Sequence, residues 1–241
     1  MRVLALRCTL LAAAAAGAVG PSAAAYVTWF SSLPSWEAAT LDESVAVTFD
    51  EPAWPVDQPL AGTWTVGGVS FTGFAGVPFP NVYVYSGTTE PPFGTGNWMT
   101  ANGDEDIDIE PLGQPTALAF DATANAFGPA TIRVFGPDDA LIGTLVIPIG
   151  TTRFVGINSS VPIARVNFTS ILGAIDNTGF DTIRIGERAV LLGDLDGDGQ
   201  VNGADLGLLI ASWGGAGSAD LDCDGVVNGA DLGLLISAWT G

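Results

Sequence analysis

The sequence contains no histidine and no lysine, and its seven basic residues are all arginine. Without histidine there is no Ser-His-Asp or Cys-His nucleophile and no histidine-ligated zinc. Apart from Arg2 and Arg7 at the start, the cations are Arg133, Arg153, Arg165, Arg184 and Arg188. They stand against 26 Asp and Glu, for a formal net charge of −19. Such a surface repels phosphate backbones and anionic lipid, so neither nucleic acid nor membrane surface is expected as a partner; divalent cations are attracted. Long apolar runs are also missing. The stretches at 141–149 and 206–213 are interrupted by Gly or Pro or are too short for a bilayer, so no membrane span is expected.

The first 25 residues carry a leader pattern. Arg2 and Arg7 precede an Ala-rich apolar run from Leu10 to Val19, and Ala23-Ala24-Ala25 supplies the small residues of a cleavage site. This order is that of a secretory signal peptide, with the mature chain expected to begin at Tyr26 outside the cytoplasm. Cys8 then leaves with the leader, and Cys223 is the one mature thiol. A lone cysteine without a histidine beside it makes a poor nucleophile.

Residues 26–188 read as mostly β. One short helix is expected over 33–40, where Ser32 can cap and Pro34 can start it. Short alternating or β-branched runs punctuated by Gly, Pro and Asp predict strands near 45–50, 68–74, 82–85, 107–109, 116–121, 130–135, 142–147, 153–157, 164–168 and 181–185. Many short strands without intervening helical patterns indicate a jelly-roll-like β-sandwich rather than a parallel α/β fold.

Residues 193–241 form a second segment built on an internal repeat. Asp194-Leu195-Asp196-Gly197-Asp198-Gly199 recurs 26 residues later as Asp220-Leu221-Asp222-Cys223-Asp224-Gly225, and residues 201–210 are identical to 227–236. Counting from the first Asp, carboxylates fall at positions 1, 3, 5 and 12 and Asn at 9: Asp194, Asp196, Asp198, Asp205 and Asn202, then Asp220, Asp222, Asp224, Asp231 and Asn228. Gly199 and Gly225 hold position 6, where an EF-hand loop turns sharply, and Gln200 and Val226 offer the position-7 carbonyl. So many hard oxygen donors suit Ca²⁺ better than Mg²⁺, and two ions are expected, one per loop. Each loop runs into a helix, with Leu206, Leu209, Ile210 and Trp213 at the spacing of one apolar face and Leu232, Leu235, Ile236 and Trp239 repeating it. These faces are expected to pack on each other, with Gly207 and Gly233 allowing close helix approach. So small an α-helical core is expected to depend on the metal for folding.

Two loop–helix units without the incoming helix of a full EF-hand resemble a type I dockerin, in a short, near-identical form similar to those of planctomycetes. The position-8 residues Val201 and Val227 fit the family's small contact between loops. The resemblance implies docking to a cohesin-type domain of a scaffold or surface protein. It places partner contacts at Gly203, Ala204, Ile210, Ala211, Gly229, Ala230, Ile236 and Ser237, which depart from the Ser-Thr pairs of cellulosomal dockerins. Near-identity of the repeats implies that either helix can face the partner.

For the β segment, runs such as Val47-Thr48-Phe49-Asp50-Glu51 and Ile175-Asp176-Asn177-Thr178-Gly179-Phe180 look similar to β-sandwich domains of secreted bacterial proteins, which themselves resemble jelly-roll carbohydrate-binding modules. A non-catalytic binding or surface-structural role is expected. Trp54, Trp64, Tyr83, Tyr85 and Trp98 are candidates to stack on sugar rings, although core placement is the plainer reading of each. The alternative is a glycan-cleaving enzyme, which needs a carboxylate pair. Asp50, Glu51, Glu90, Asp104, Glu105, Asp106, Asp108 and Glu110 are available, and no motif selects two of them.

Overall fold

The computed structural model describes residues 25–60, 62–74, 81–86, 96–102, 106–124, 128–170 and 178–240. Residues 1–24, which hold all but the last residue of the expected leader, lie outside the described residues, as do Glu90, Asp104, Glu105 and residues 175–177. The chain divides into two compact units, one of residues 25–189 and one whose described part is residues 190–240.

The first unit runs β1 (Val27–Phe30), α1 (Leu33–Ala38), β2 (Thr40–Val47), β3 (Pro59–Leu60), β4 (Thr63–Val66), β5 (Val69–Phe74), β6 (Asn81–Tyr85), β7 (Trp98–Asn102), β8 (Asp106–Pro111), β9 (Ala117–Ala124), β10 (Ala130–Phe135), β11 (Leu141–Ile147), β12 (Thr151–Ser159), β13 (Arg165–Ser170) and β14 (Thr178–Arg188). One antiparallel sheet has the order β1-β12-β9-β14-β7-β6-β3, with β2 also paired to β14; the other has the order β11-β10-β13-β8-β5-β4. Period-2 alternation turns one face of each sheet onto a shared core. Leu118, Phe120 and Ala122 of β9 and Phe180 and Ile183 of β14 meet Ile107 and Ile109 of β8 and Ile132 and Val134 of β10 there. Phe180 is the hub of this core, with Phe49, Phe71, Phe120 and Phe168 around it at centroid distances of 5.6 to 6.1 Å.

The fold is the expected mostly-β sandwich, and its sequence signals hold unevenly. Strand β2 starts earlier than the alternation implied and stops at Val47, because Phe49 enters the left-handed region at φ 62. Strands β1, β3, β4 and β7 carry too few alternating residues to stand out. Helix α1 forms as expected: Ser32 caps it by accepting from the Ser35 N–H. Its Trp36 is buried on the outer face of the larger sheet, where its indole N–H donates to the Ile157 carbonyl at 3.3 Å. Gly156 makes that seat possible, since a Cβ there would lie 2.7 Å from the indole.

The aromatic candidates are mainly structural. Trp54 is buried and stacks on half-buried Trp64. Trp98 is buried against Gly179, where a Cβ would lie 2.5 Å from its ring. Tyr83 and Tyr85 are half-buried and stacked on each other at 5.2 Å. Several candidate carboxylates also have structural partners. Asp108, opposite Asn167, accepts from its amide at 2.8 Å and from Arg165 at 3.1 Å. Glu51 accepts from the Thr48 N–H and hydroxyl and from the Trp54 indole N–H.

Candidate metal centre and docking face

In the second unit the two acidic loops lead into α2 (Gly203–Ala211) and α3 (Gly229–Ser237). Each helix begins with a capping box. Asn202 accepts from the Ala204 N–H while Asp205 accepts from the Asn202 N–H, and Asn228 and Asp231 repeat the arrangement. The acidic group at the first turn also complements the helix dipole.

Each loop brings three carboxylates together. Ligand oxygens of Asp194, Asp196 and Asp198 lie within 4.8 Å of one another, as do those of Asp220, Asp222 and Asp224. The backbone wraps inward around them. Gly199 N–H donates to Asp194, Asp198 N–H to Asp196 and Gln200 N–H to Asp198. In the second loop Gly225 N–H donates to Asp220 and Val226 N–H to Asp224. Gly199 and Gly225 hold φ 85 and 95, the left-handed turn that position 6 requires.

Asp205 and Asp231 lie outside these trios. Both are buried, and each ties the loop start to the helix: Asp205 accepts from Leu195, Asp196 and Asn202 N–H groups, Asp231 from Leu221, Asp222 and Asn228. A carboxylate has about four lone-pair positions, so three such bonds leave room for one contact to a cation. Burial raises the Asp231 carboxyl, but these N–H bonds outweigh it and hold the group below its ordinary value. At Asp222 the Asp224 N–H bond lowers the carboxyl, while desolvation and the charges of Asp224, Asp231 and Asp220 raise it, and the net shift is upward. Three carboxylates gathered within 4.8 Å in each loop are a hard-oxygen donor set whose mutual repulsion a divalent cation relieves, so the residues fit Ca²⁺. Asn202 and Asn228 serve as helix caps, and their amides also reach Asp198 and Asp224.

The core of this unit is Val201, Leu209, Ala219, Val227 and Leu235, with Leu191, Leu195, Leu206, Leu221, Leu232 and Ala238 packed around it. The position-8 valines pair with the segments beyond the helices. Val227 exchanges main-chain bonds with Gly214 and Gly215, while Val201 accepts the Thr240 N–H at its carbonyl and donates its own N–H to the Thr240 hydroxyl.

Two expectations fail here. Ile210 and Trp213 are 58% and 51% exposed, and Ile236 and Trp239 are 56% and 41% exposed, so only the Leu206–Leu209 and Leu232–Leu235 halves of the stripes enter the core. Gly207 and Gly233 do not admit a neighbouring helix, because a Cβ at either would meet nothing within 4 Å. The outward side of α2 instead carries Gly203, Ala204, Gly207, Leu208, Ile210 and Ala211, all exposed and uncharged. Gly229, Ala230, Gly233, Ile236 and Ser237 are exposed on α3.

Residues 192–239 match the type I dockerin domain family. The C-terminal unit is a type I dockerin. Dockerins bind calcium and dock to cohesins, and proteins that carry them are typically extracellular or attached to a cell surface. The dockerin match does not extend into the sandwich. No curated relative matches the chain. Among solved structures the chain is similar to a glycoside hydrolase family 43 arabinoxylan arabinofuranohydrolase from Bacillus subtilis in complex with cellotetraose, at 16% identity and a TM-score of 0.32, over 46% of this chain and 25% of that one. It is also similar to the enzymatically active domain of tailspike protein 4 of bacteriophage CBA120, at 15% identity and a TM-score of 0.29, over 60% of this chain and 21% of that one. The chain thus spans a quarter or less of each, and likeness at that level assigns the sandwich no role. Among the described residues no helix is long and apolar enough to cross a membrane.

Proposed function

We propose that this is a secreted docking protein whose dockerin folds around two calcium ions and attaches a non-catalytic β-sandwich to a cohesin-type partner. The observation that supports the reading most strongly is the pairing, in both repeats, of a three-carboxylate loop with an exposed, uncharged helix face. The proposed ligands are Asp194, Asp196, Asp198, the Gln200 carbonyl, Asn202 and Asp205 in one loop. In the other they are Asp220, Asp222, Asp224, the Val226 carbonyl, Asn228 and Asp231. The proposed contacts are Gly203, Ala204, Ile210, Ala211, Gly229, Ala230, Ile236 and Ser237. An exposed apolar patch on a soluble unit marks a binding surface, and with no charge to steer it the partner is recognised by shape and apolar burial. The sandwich serves as the carried binding or surface-structural domain, with carbohydrate as its proposed ligand class.

The test is calcium calorimetry on the full chain, followed by binding to a panel of purified cohesin domains with and without chelator. Two bound ions and chelator-sensitive binding to at least one cohesin support the proposal. Binding that survives chelation, or a calcium stoichiometry of zero, rejects it.

A further inference from the structure

Away from the calcium loops, the β9–β14 ladder sets Asp121 directly opposite Asp181. Cross-strand partners share a sheet face with their Cβ atoms about 4.5–5.5 Å apart, and like charges so placed repel. This is the outer face, because the flanking Phe120, Ala122, Phe180 and Ile183 fill the core. Both carboxyl groups are half-buried, which makes ionising the two together costlier still.

The strand is irregular at this point. Its register shifts between Asp181 and Arg184, and Thr182 takes φ 51. The extra residue returns Arg184 to the face of Asp181, with its guanidinium 3.6 Å from Asp121 and 3.2 Å from the Thr182 carbonyl. Asp181 accepts the Thr182 N–H at 2.6 Å. A third carboxylate, Asp50, accepts from the Asn97 N–H and repels Asp181. From β12, uncharged Phe154 stands opposite Asp121, and Arg153 stands opposite core-facing Ala122. From β7, uncharged Thr100 stands opposite Gly179. Among the described residues, three carboxylates and one guanidinium therefore meet here. The bulge also marks the place where β14 leaves β7, paired at 178–180, and takes up β2, paired at 183–188.

We propose that Asp121 and Asp181 hold one proton between them, and that this proton is a pH-sensitive clasp on the β14 bulge. Burial pushes the Asp181 carboxyl up to about 6; the Thr182 N–H bond opposes this, and the charges of Asp121 and Asp50 add to it. Burial also raises Asp121, against the pull of Arg184. Asp181 is thus the proton carrier, and Asp121, beside the guanidinium, is its partner. In the unfolded chain an Asp releases its proton near the ordinary value of 3.8. Between that value and about 6 the folded state binds a proton that the unfolded state does not. Stability from the clasp is therefore fully present below the ordinary Asp value and is lost as pH rises through about 6.

The experiment compares thermal melting of the full chain with that of Asp181→Asn and Asp121→Asn at saturating calcium, from mildly acidic to mildly alkaline pH. All three chains share the calcium loops and every other carboxylate, so differences between curves isolate the pair. Both variants should gain on the wild type as pH rises through about 6. Curves that stay parallel overturn the proposal. Carboxyl-carbon NMR of the Asp-labelled wild type gives a direct reading that does not require either variant to fold. One Asp titrating near pH 6 is expected, and a spectrum in which every Asp titrates in the ordinary range overturns the proposal.

Discussion

Val201 and Thr240 clasp each other through two bonds across 39 residues: the Val201 N–H donates to the Thr240 hydroxyl at 2.8 Å, and the Thr240 N–H donates to the Val201 carbonyl at 3.0 Å. Val201 belongs to the first calcium loop and Thr240 follows the second helix, so neither repeat is complete without the other. Replacing Thr240 with Val removes the acceptor of a buried N–H and costs about 1–3 kcal/mol. The expected outcome is a lower melting temperature of the helical signal at saturating calcium. An unchanged melting temperature rejects the clasp.

Calcium withdrawal should act on the dockerin alone. Its core rests on five buried side chains, so bound ions are expected to supply much of its folding free energy. On adding chelator to the full chain, far-ultraviolet circular dichroism should lose its helical part and keep its β part. Helicity unchanged in chelator would refute calcium-coupled folding.

Glycines on the two units should respond in opposite directions. Gly207→Ala and Gly233→Ala enter open space on exposed helix surface, and each should stabilise the dockerin by about 1 kcal/mol. Gly156→Ala drives a Cβ to 2.7 Å from the Trp36 ring and should destabilise the sandwich by about 1–3 kcal/mol. Calcium-saturated melting of the three variants checks both signs.

Glu51 should make the sandwich acid-sensitive. Partial burial raises its carboxyl, but the bonds from Thr48 and Trp54 outweigh this and leave it below the ordinary 4.5. A depressed carboxyl contributes stability that is present above about 4.5 and lost as pH falls through its folded value. Glu51→Gln should therefore be less stable than wild type near neutral pH and approach it in acid. A constant gap between the two chains across that range would sink the assignment.

The sequence carried the calcium loops because their chemistry is local. A fixed twelve-residue register names Asp194, Asp196 and Asp198, and the structure gathers those oxygens. Leu206 and Leu209 were legible as core for the same reason. Ile210 and Trp213 were not, because apolar periodicity cannot tell a face covered by its own chain from one left open. Gly207 misled for a related reason: a mid-helix glycine signals missing bulk without saying what uses the space. Asp121 and Asp181 gave no sign at all, since they are 60 positions apart and meet only through strand register. Of the carboxylates that the sequence offers for glycan cleavage, Glu51 and Asp108 hold structural bonds.

Strand β14 makes the sandwich a late-closing structure. It pairs β9 along one side, and β7 and then β2 along the other, while β1 awaits β12. Strands β1 and β2 thus have no partner until β12 and β14 have been made, and the loop-closure entropy of more than about a hundred residues must be met before either can join the sheet. Every contact of the dockerin core is drawn from within some fifty consecutive residues. Folding order should therefore invert synthesis order, with the dockerin forming in a fraction of the time the sandwich before it requires.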